Sequence, residues 1–229
     1  MITQAMILSA GFGKRLNPLT LELPKPLLPI GEETLLSNTI NFLIHFKIKK
    51  IVINVHYLGD QIIEYINKKN FKTKITIVRE KGKILDTGGG ILNALNHFDE
   101  SFLCINPDTI WNINYTKELK QMESNFFLNK KECSLLVVNK TKSFDRAIKG
   151  DFNLQGGLVT RKKNEDLKYI FTGLQIINPK AFLNIKDEVF SINKVWNQLI
   201  EKKKLYAIES NINFQHISNI DIYKKLNIK

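Results

Sequence analysis

The 229-residue chain holds only two cysteines and four histidines, and its arginines are confined to positions 15, 79, 146 and 161. Cys104 and Cys133 lie in separate strand-like runs without metal-ligand spacing. That excludes a zinc framework and predicts buried free thiols in a reducing cytoplasm. His45, His56 and His97 share no spacing, and no Ser-His-Asp or paired-carboxylate constellation occurs, so hydrolase chemistry built on those groups is not expected. No apolar run approaches the roughly 18 residues of a membrane span. The start, "MITQAMILSAG", has no cationic segment ahead of its apolar residues and reads as a strand, not as a signal peptide. Repeats and low-complexity linkers are absent. Two phosphate-loop templates are missing as well. A dinucleotide fingerprint needs glycine where Leu16 stands, and no Walker A loop ending in Lys-Ser or Lys-Thr is found.

Scarce arginine also tempers the net charge of +12. The lysines are scattered as "KIKK", "KTK" and "EKKK", as on a solvated surface, whereas arginine is the residue that grips phosphate bidentately. Aromatic stacking patterns, helix-turn-helix signals and zinc spacings are lacking, so nucleic acid is not the expected partner.

What is present is alternation. "AMILS", "KIVINVHY", "KITIVRE", "SFLCIN" and "CSLLVVN" are short apolar runs of the buried-strand type. Between them, "GDQIIEYINKK" and "YTKELKQMESNFF" have helical spacing, as do Leu36, Ile40, Leu43 and Ile44 behind a Thr34 N-cap. This rhythm predicts an α/β fold with a mainly parallel sheet covered on both faces. After residue 140 the character changes. "AIKGDFNLQGGLVTRKK" predicts a hairpin turning at Gly156-Gly157, "YIFTGLQII" a strand, "INKVWNQLIEKKK" a helix, "LYAIES" a strand and "NIDIYKKLNI" a closing helix. One domain is expected over residues 1–229, with halves 1–140 and 141–229 and a β-rich insertion in the second.

Four loop stretches carry the functional signal. "SAGFGKRL" leaves the first strand at its carboxyl end, where ligands bind in open α/β sheets. Gly11 and Gly13 are read as positive-φ positions that allow close backbone approach, and their amides, with Lys14 and Arg15, suit a polyphosphate. "PLTLELPKPLLPIG" is stiffened by Pro24, Pro26 and Pro29, which makes sense if Lys25 reaches the same phosphates as Arg15. "ILDTGGGI" sets three glycines ahead of a helix at its positive end, with Asp86 or Thr87 as a possible cap. "FLCINPDTIW" delivers Asp108 to the same sheet edge, as a turn residue or as a Mg²⁺ ligand; magnesium prefers few carboxylates plus phosphate and water.

Together, "GFGKRLNPLTLELPKP", "LDTGGGI", "NPD", "GDF" and "FTG", in this order, resemble the sugar-1-phosphate nucleotidylyltransferase family over nearly the whole chain. "LDTGGGI" and "GDF" favour its short branch of N-acetylmuramate α-1-phosphate uridylyltransferases and mannose-1-phosphate guanylyltransferase-like proteins. The resemblance implies a Rossmann-like (GT-A-like) sheet. It also implies a nucleotide held by Ala10, Gly11, Gly13, Lys14, Arg15, Lys25, Gly88 and Gly89, and catalysis by Arg15, Lys25 and Asp108. Sugar contacts would come from Asn106, Asp151 and Gly173, and Mg²⁺ would sit on Asp108. The substrates implied are a nucleoside triphosphate, UTP favoured, and a sugar 1-phosphate, N-acetylmuramate 1-phosphate favoured. The alternatives are guanylyl transfer to mannose 1-phosphate, cytidylyl transfer to phosphocholine, and a non-catalytic nucleotide sensor. A monomer or homodimer is equally compatible.

One stretch departs from the family. A second metal carboxylate is common before the last helix, and here the region reads "NFQHISNIDIYKKL". His216 or Asn219 falls where that aspartate belongs, with Asp221 a little beyond. Imidazole is a poor ligand for hard Mg²⁺. The metal is therefore expected on Asp108, phosphates and water, or replaced by Mn²⁺ with His216 as a ligand, or held weakly; otherwise His216 is a partly buried residue of a strand-to-helix turn.

Overall fold

The computed structural model describes residues 1–162 and 164–227; Lys163 of the expected hairpin and Ile228 of the expected last helix lie outside them. In chain order the elements begin with β1 (Gln4–Leu8), α1 (Leu19–Glu22), β2 (Pro29–Ile30), β3 (Glu33–Thr34), α2 (Leu35–His45) and β4 (Lys50–Val55). Then follow α3 (Gly59–Lys69), β5 (Lys74–Arg79), α4 (Asp86–Ala94), β6 (Phe102–Ile105), α5 (Thr116–Leu128) and β7 (Cys133–Asn139). The second half adds β8 (Asn153–Gln155), β9 (Leu158–Thr160), β10 (Tyr169–Ile177), α6 (Asn193–Glu201), β11 (Leu205–Ser210) and α7 (Ile220–Asn227). The expected helix behind Thr34 forms as read. The Thr34 hydroxyl accepts from the Ser37 amide at 3.1 Å while Ser37 Oγ accepts from the Thr34 amide at 3.0 Å, a reciprocal cap.

Among the described residues one nine-stranded sheet runs in the order β5-β4-β1-β6-β10-β7-β11-β9-β8. The pairs β5/β4, β4/β1, β1/β6 and β7/β11 are parallel, as expected of strands separated by helices. The β11/β9 and β9/β8 pairs at one edge are antiparallel, and at the centre β10 inserts antiparallel between β6 and β7. Its residues Ile170, Leu174, Ile176 and Ile177 are all buried, so a doubly covered antiparallel strand carries the same apolar pattern as its parallel neighbours.

Strand alternation divides the core into two layers. Ala5 and Ile7, Ile51 and Ile53, and Leu103 and Ile105 face one side, against Leu36, Ile40, Ile62, Leu119 and Phe126 of α2, α3 and α5. Met6, Val52, Phe102 and Cys104 face the other, against Ile91 and Ala94 of α4 and Val195, Trp196 and Leu199 of α6. Both cysteines are buried free thiols, and desolvation pushes the Cys104 thiol up to about 12, so it stays protonated. The hairpin turns where expected. Gly156 and Gly157 carry φ of 57° and 81°, the double positive-φ pair of a tight two-residue turn.

Candidate functional site

Segments following the carboxyl ends of β1, β5 and β6, with Asn54 near the end of β4, surround a cavity of about 440 Å³. From the glycine loop it is lined by Ala10, Gly11, Gly13, Lys14 and Arg15; Lys25, Asn106 and Asp108 complete it, with Ser9, Phe12, Asn54, Asp86 and Thr87. The three charged residues singled out for chemistry, Arg15, Lys25 and Asp108, thus share one cavity although they span 93 positions of the chain (108 − 15).

The glycine loop is shaped by contacts within its own segment. Gly13 has φ 65°, and a Cβ there would stand 3.0 Å from Thr20 Cγ2 and 3.1 Å from Lys25 Cβ. The Gly13 carbonyl accepts from Thr20 Oγ1 at 3.0 Å. Gly11 departs from its reading as a positive-φ position. It is not in the left-handed region, and nothing lies within 4 Å of where its Cβ would be. Its absent side chain leaves the loop open toward the cavity instead. Lys14 and Arg15 follow in a short 3-10 turn, both exposed.

Lys25 is carried by a second 3-10 turn, Lys25–Leu27, between Pro24 and Pro26. Its Nζ lies 2.6 Å from Asp108 Oδ2, with side-chain exposures of 14% and 17% that make this a mostly buried pair. Asp108 Oδ1, by contrast, is buried and has no hydrogen-bond partner, and neither has His216 Nδ1, which stands 3.5 Å from it. The segment 214–217 pairs with 108–110: Ile110 N donates to Gln215 O at 2.9 Å and Ile217 N to Asp108 O at 2.8 Å. His216 stacks on Phe214 with planes 8° apart. Asn219 has a different task, its Oδ1 accepting from the Asp221 and Ile222 amides at the start of α7. Of the two candidates for the missing carboxylate's position, His216 is the one at Asp108.

Burial works to raise the Asp108 carboxyl, but Lys25 foremost, with His216 and Arg15, holds it down at about 2. His216 is pushed below its ordinary value by burial first, Asp108 pulling the other way and Lys25 and Arg15 adding to the push. Two orphaned donors of this kind fit a divalent cation. Ligand atoms on one ion at about 2.1 Å lie roughly 3.0–3.5 Å apart, and a neutral imidazole beside an ionised carboxylate offers two lone pairs. Among the described residues no group of three or more His, Cys, Asp or Glu could hold a metal, so further ligands would have to be substrate or water.

The third loop departs from its reading. Gly88, Gly89 and Gly90 lie inside α4, not ahead of it, and all three are buried. The amides of Gly88 and Gly89 donate to Phe190 O at 2.9 and 3.0 Å, so they are not free for a ligand. A Cβ at Gly88 would meet the Phe190 ring at 2.3 Å, and one at Gly89 the Glu188 carbonyl oxygen at 2.2 Å. A segment of the second half seals this helix end because the glycines let it in. Neither Asp86 nor Thr87 caps the helix. Thr87 Oγ1 accepts from Ile192 N at 2.9 Å, at the cavity rim.

Of the residues expected to contact the sugar, Asn106 lines the cavity while Asp151 and Gly173 stand behind it. Asn106 N donates to Gly173 O at 2.7 Å, and a Cβ at Gly173, φ 91°, would press on Asn106 Cβ at 3.0 Å. Asp151 Oδ2 accepts from Phe171 N at 2.9 Å, two residues before Gly173. Sequence reasoning passed over Ser9 and Asn54. Asn54 Oδ1 accepts from Ser9 N at 3.0 Å while its Nδ2 donates to the buried Glu80 at 2.7 Å, which ties the ends of β1 and β4 together. A polar residue inside the apolar run "KIVINV" was the available signal.

Comparison with known proteins agrees with this geometry. The sequence pattern described as nucleotidyl transferase matches residues 4–143, more than half of the chain. The chain belongs to the nucleotidyl transferase family. It is 25% identical over 221 residues to an N-acetylmuramate α-1-phosphate uridylyltransferase of Caulobacter vibrioides, covering 94% of this chain and 91% of that protein. It is 30% identical to the bifunctional protein GlmU of Methanococcus maripaludis over 90% of this chain, yet spans only 49% of that relative. In fold it is similar to HddC from Yersinia pseudotuberculosis complexed with GMP-PN, with a TM-score of 0.78 at 22% identity and 98% of both chains covered. Enzymes of this family are generally dependent on a divalent metal. Among the described residues no helix is long and apolar enough to cross a membrane.

Proposed function

We propose that this transferase joins UTP to N-acetylmuramate 1-phosphate, releasing pyrophosphate and the uridine diphosphate sugar. The observation that carries the reading is the meeting of Arg15, Lys25 and Asp108 on one cavity beside the glycine loop. The base and the sugar are taken from the likeness to the uridylyltransferase, which extends over 94% of the chain.

In the proposed reaction an oxygen of the sugar phosphate attacks the α-phosphorus, forming the new P–O bond as the bond to the bridging β-phosphate oxygen breaks. The electron pair leaves with pyrophosphate. A phosphate monoester is already largely ionised at neutral pH, so the site needs no general base. Its task is orientation and charge neutralisation. Gly11 and Gly13 give the triphosphate access to backbone amides, and Arg15 pairs with its oxygens. Lys25, which neutralises Asp108 in the free protein, turns to the reacting phosphate. A divalent cation held by Asp108 Oδ1, His216 Nδ1 and phosphate oxygens would spread the charge of the triphosphate. Asn106, backed by Gly173 and Asp151, orients the sugar.

The test is pyrophosphate release from each of the four ribonucleoside triphosphates with N-acetylmuramate, mannose and glucose 1-phosphates and phosphocholine, in Mg²⁺ and in Mn²⁺. UTP with N-acetylmuramate 1-phosphate is expected to give the highest kcat/KM. Release from GTP with mannose 1-phosphate alone would reassign the substrates. Triphosphate binding without release from any pair would make the protein a nucleotide sensor, a reading to which the imidazole in place of a second carboxylate lends its one support.

A further inference from the structure

Near the cavity, though not among its lining residues, stands a cation that the proposed reaction leaves without a task. Arg161 follows β9, and its Nη2 donates to Asn193 Oδ1 at 2.9 Å while its guanidinium carbon lies 4.5 Å from the centre of the Phe152 ring. Phe152 is fully buried and packs edge-on against Trp196 at 5.7 Å. Asn193 is tied back to Ser191 Oγ by its amide nitrogens at 3.3 and 3.1 Å. The guanidinium is therefore oriented from two sides. Its Nε is nevertheless buried without a hydrogen-bond partner, and Arg161 takes part in no salt bridge among the described residues. Arginine cannot shed its charge, and a half-buried charge with unused donors is costly until an anion arrives.

Two chains of neighbours run from Arg161 toward the cavity. Asn193 follows Ile192, whose amide donates to the rim residue Thr87. Asp151, whose charge acts on Arg161, is held by Phe171 two residues from Gly173, and Gly173 is bonded to the lining residue Asn106. Arg161 and Asp151 thus stand behind the Thr87 and Asn106 walls. An anion arriving here would meet the Asp151 carboxylate as well. A dianionic phosphate suffers twice the repulsion of a monoanion, and phosphates already have Arg15 and Lys25. The guest that fits is a carboxylate, for which the planar fork of Nε and Nη is matched.

We propose that Arg161 determines sugar specificity by binding side-on a carboxylate substituent of the sugar 1-phosphate that reaches past the Thr87 and Asn106 walls. This deepens, and rests on, the reading of the cavity as a sugar-1-phosphate site.

The test compares N-acetylmuramate 1-phosphate with N-acetylglucosamine 1-phosphate, which has a free 3-hydroxyl in place of the lactyl ether that bears the carboxylate. Calorimetric Kd values for both are measured on wild type, Arg161→Gln and Arg161→Lys, alongside kcat/KM with UTP. Wild type should favour the acidic sugar by about tenfold to a hundredfold, the worth of one charge-assisted contact. Arg161→Gln should abolish that preference by losing the acidic sugar alone, with Arg161→Lys in between and the UTP Kd held within about twofold. No preference in wild type, an unchanged ratio in Arg161→Gln, or equal loss of both sugars overturns the assignment. If no pair releases pyrophosphate while the binding preference follows Arg161, the proposed reaction fails and the carboxylate contact stands. If release is seen with both sugars at equal kcat/KM in wild type, the reaction stands and the contact fails.

Discussion

The two walls of the cavity are built in opposite ways. The glycine-loop wall, from Ala10 to Lys25, is one segment whose shape comes from its own neighbours: Gly13 packs on Thr20 and Lys25, and prolines stiffen the rest. The facing wall is assembled from Thr87, Asn106 and Asp108, and each is held by a partner from the second half. Those partners are Ile192, Gly173 and the strand segment at His216. A local wall keeps its shape through the covalent chain. An assembled wall keeps it only while packing holds, and can be tuned through residues that touch no substrate.

The largest test of this contrast removes a cation from the local wall. Lys25→Ala should lower kcat by about 100-fold or more, comparable to losing one preorganised charge donor, while steady-state UTP binding persists. Near-normal turnover would remove Lys25 from the chemistry.

The assembled wall can be attacked with acid. Because the folded pKa of Asp108 is depressed, to about 2 from 3.8, its ionisation stabilises the metal-free fold above about pH 4. That contribution, about 2 kcal/mol, is lost as pH falls toward 2. Urea unfolding should show this loss between those limits, and Asp108→Asn should flatten it; an equal slope in both proteins would deny the pairing with Lys25. A similar or smaller effect is expected from Gly89→Ala, whose Cβ would meet the Glu188 carbonyl oxygen at 2.2 Å. It should destabilise the protein by about 1–3 kcal/mol, seen as a lowered urea midpoint, whereas Gly11→Ala, with open space around it, should leave the midpoint nearly unmoved. The smallest change is His216→Asp. Replacing imidazole by an oxygen donor should move metal preference from Mn²⁺ toward Mg²⁺ by about threefold to tenfold. Mn²⁺ binding followed by electron paramagnetic resonance with Mg²⁺ as competitor reads this directly, and an unchanged ratio would show that His216 is not a ligand.

The contrast between walls also marks what could be read from the chain in advance. "GFGKRLNPLTLELPKP" exposes most of a local wall, the φ of Gly11 excepted, because glycine, proline and cation spacing are themselves the structure. The Thr34 cap and the Gly156-Gly157 turn were legible for the same reason. "DTGGGI" was misread as a bare helix end, since the glycines answer to Phe190 and Glu188, about a hundred positions away. The antiparallel course of β10 left no trace, because its residues are covered on both faces like those of a parallel strand. Arg161 carries no local signal in "TRKKNE"; its partners Phe152 and Asn193 lie on either side of it in sequence and are brought to it only by the hairpin and α6.

By itself, then, the order of residues determined the alternating strands and helices, the glycine loop with its cations and the arrival of Asp108 at the same sheet edge, all consequences of short-range periodicity and backbone restriction. Tertiary structure alone decided that His216 and not Asn219 stands 3.5 Å from Asp108, that the glycines of α4 are a packing surface, and that Arg161 and Asp151 share a flank. These depend on which distant segments exclude water together, and hydrophobic burial, being non-directional, writes no local signature of its partner.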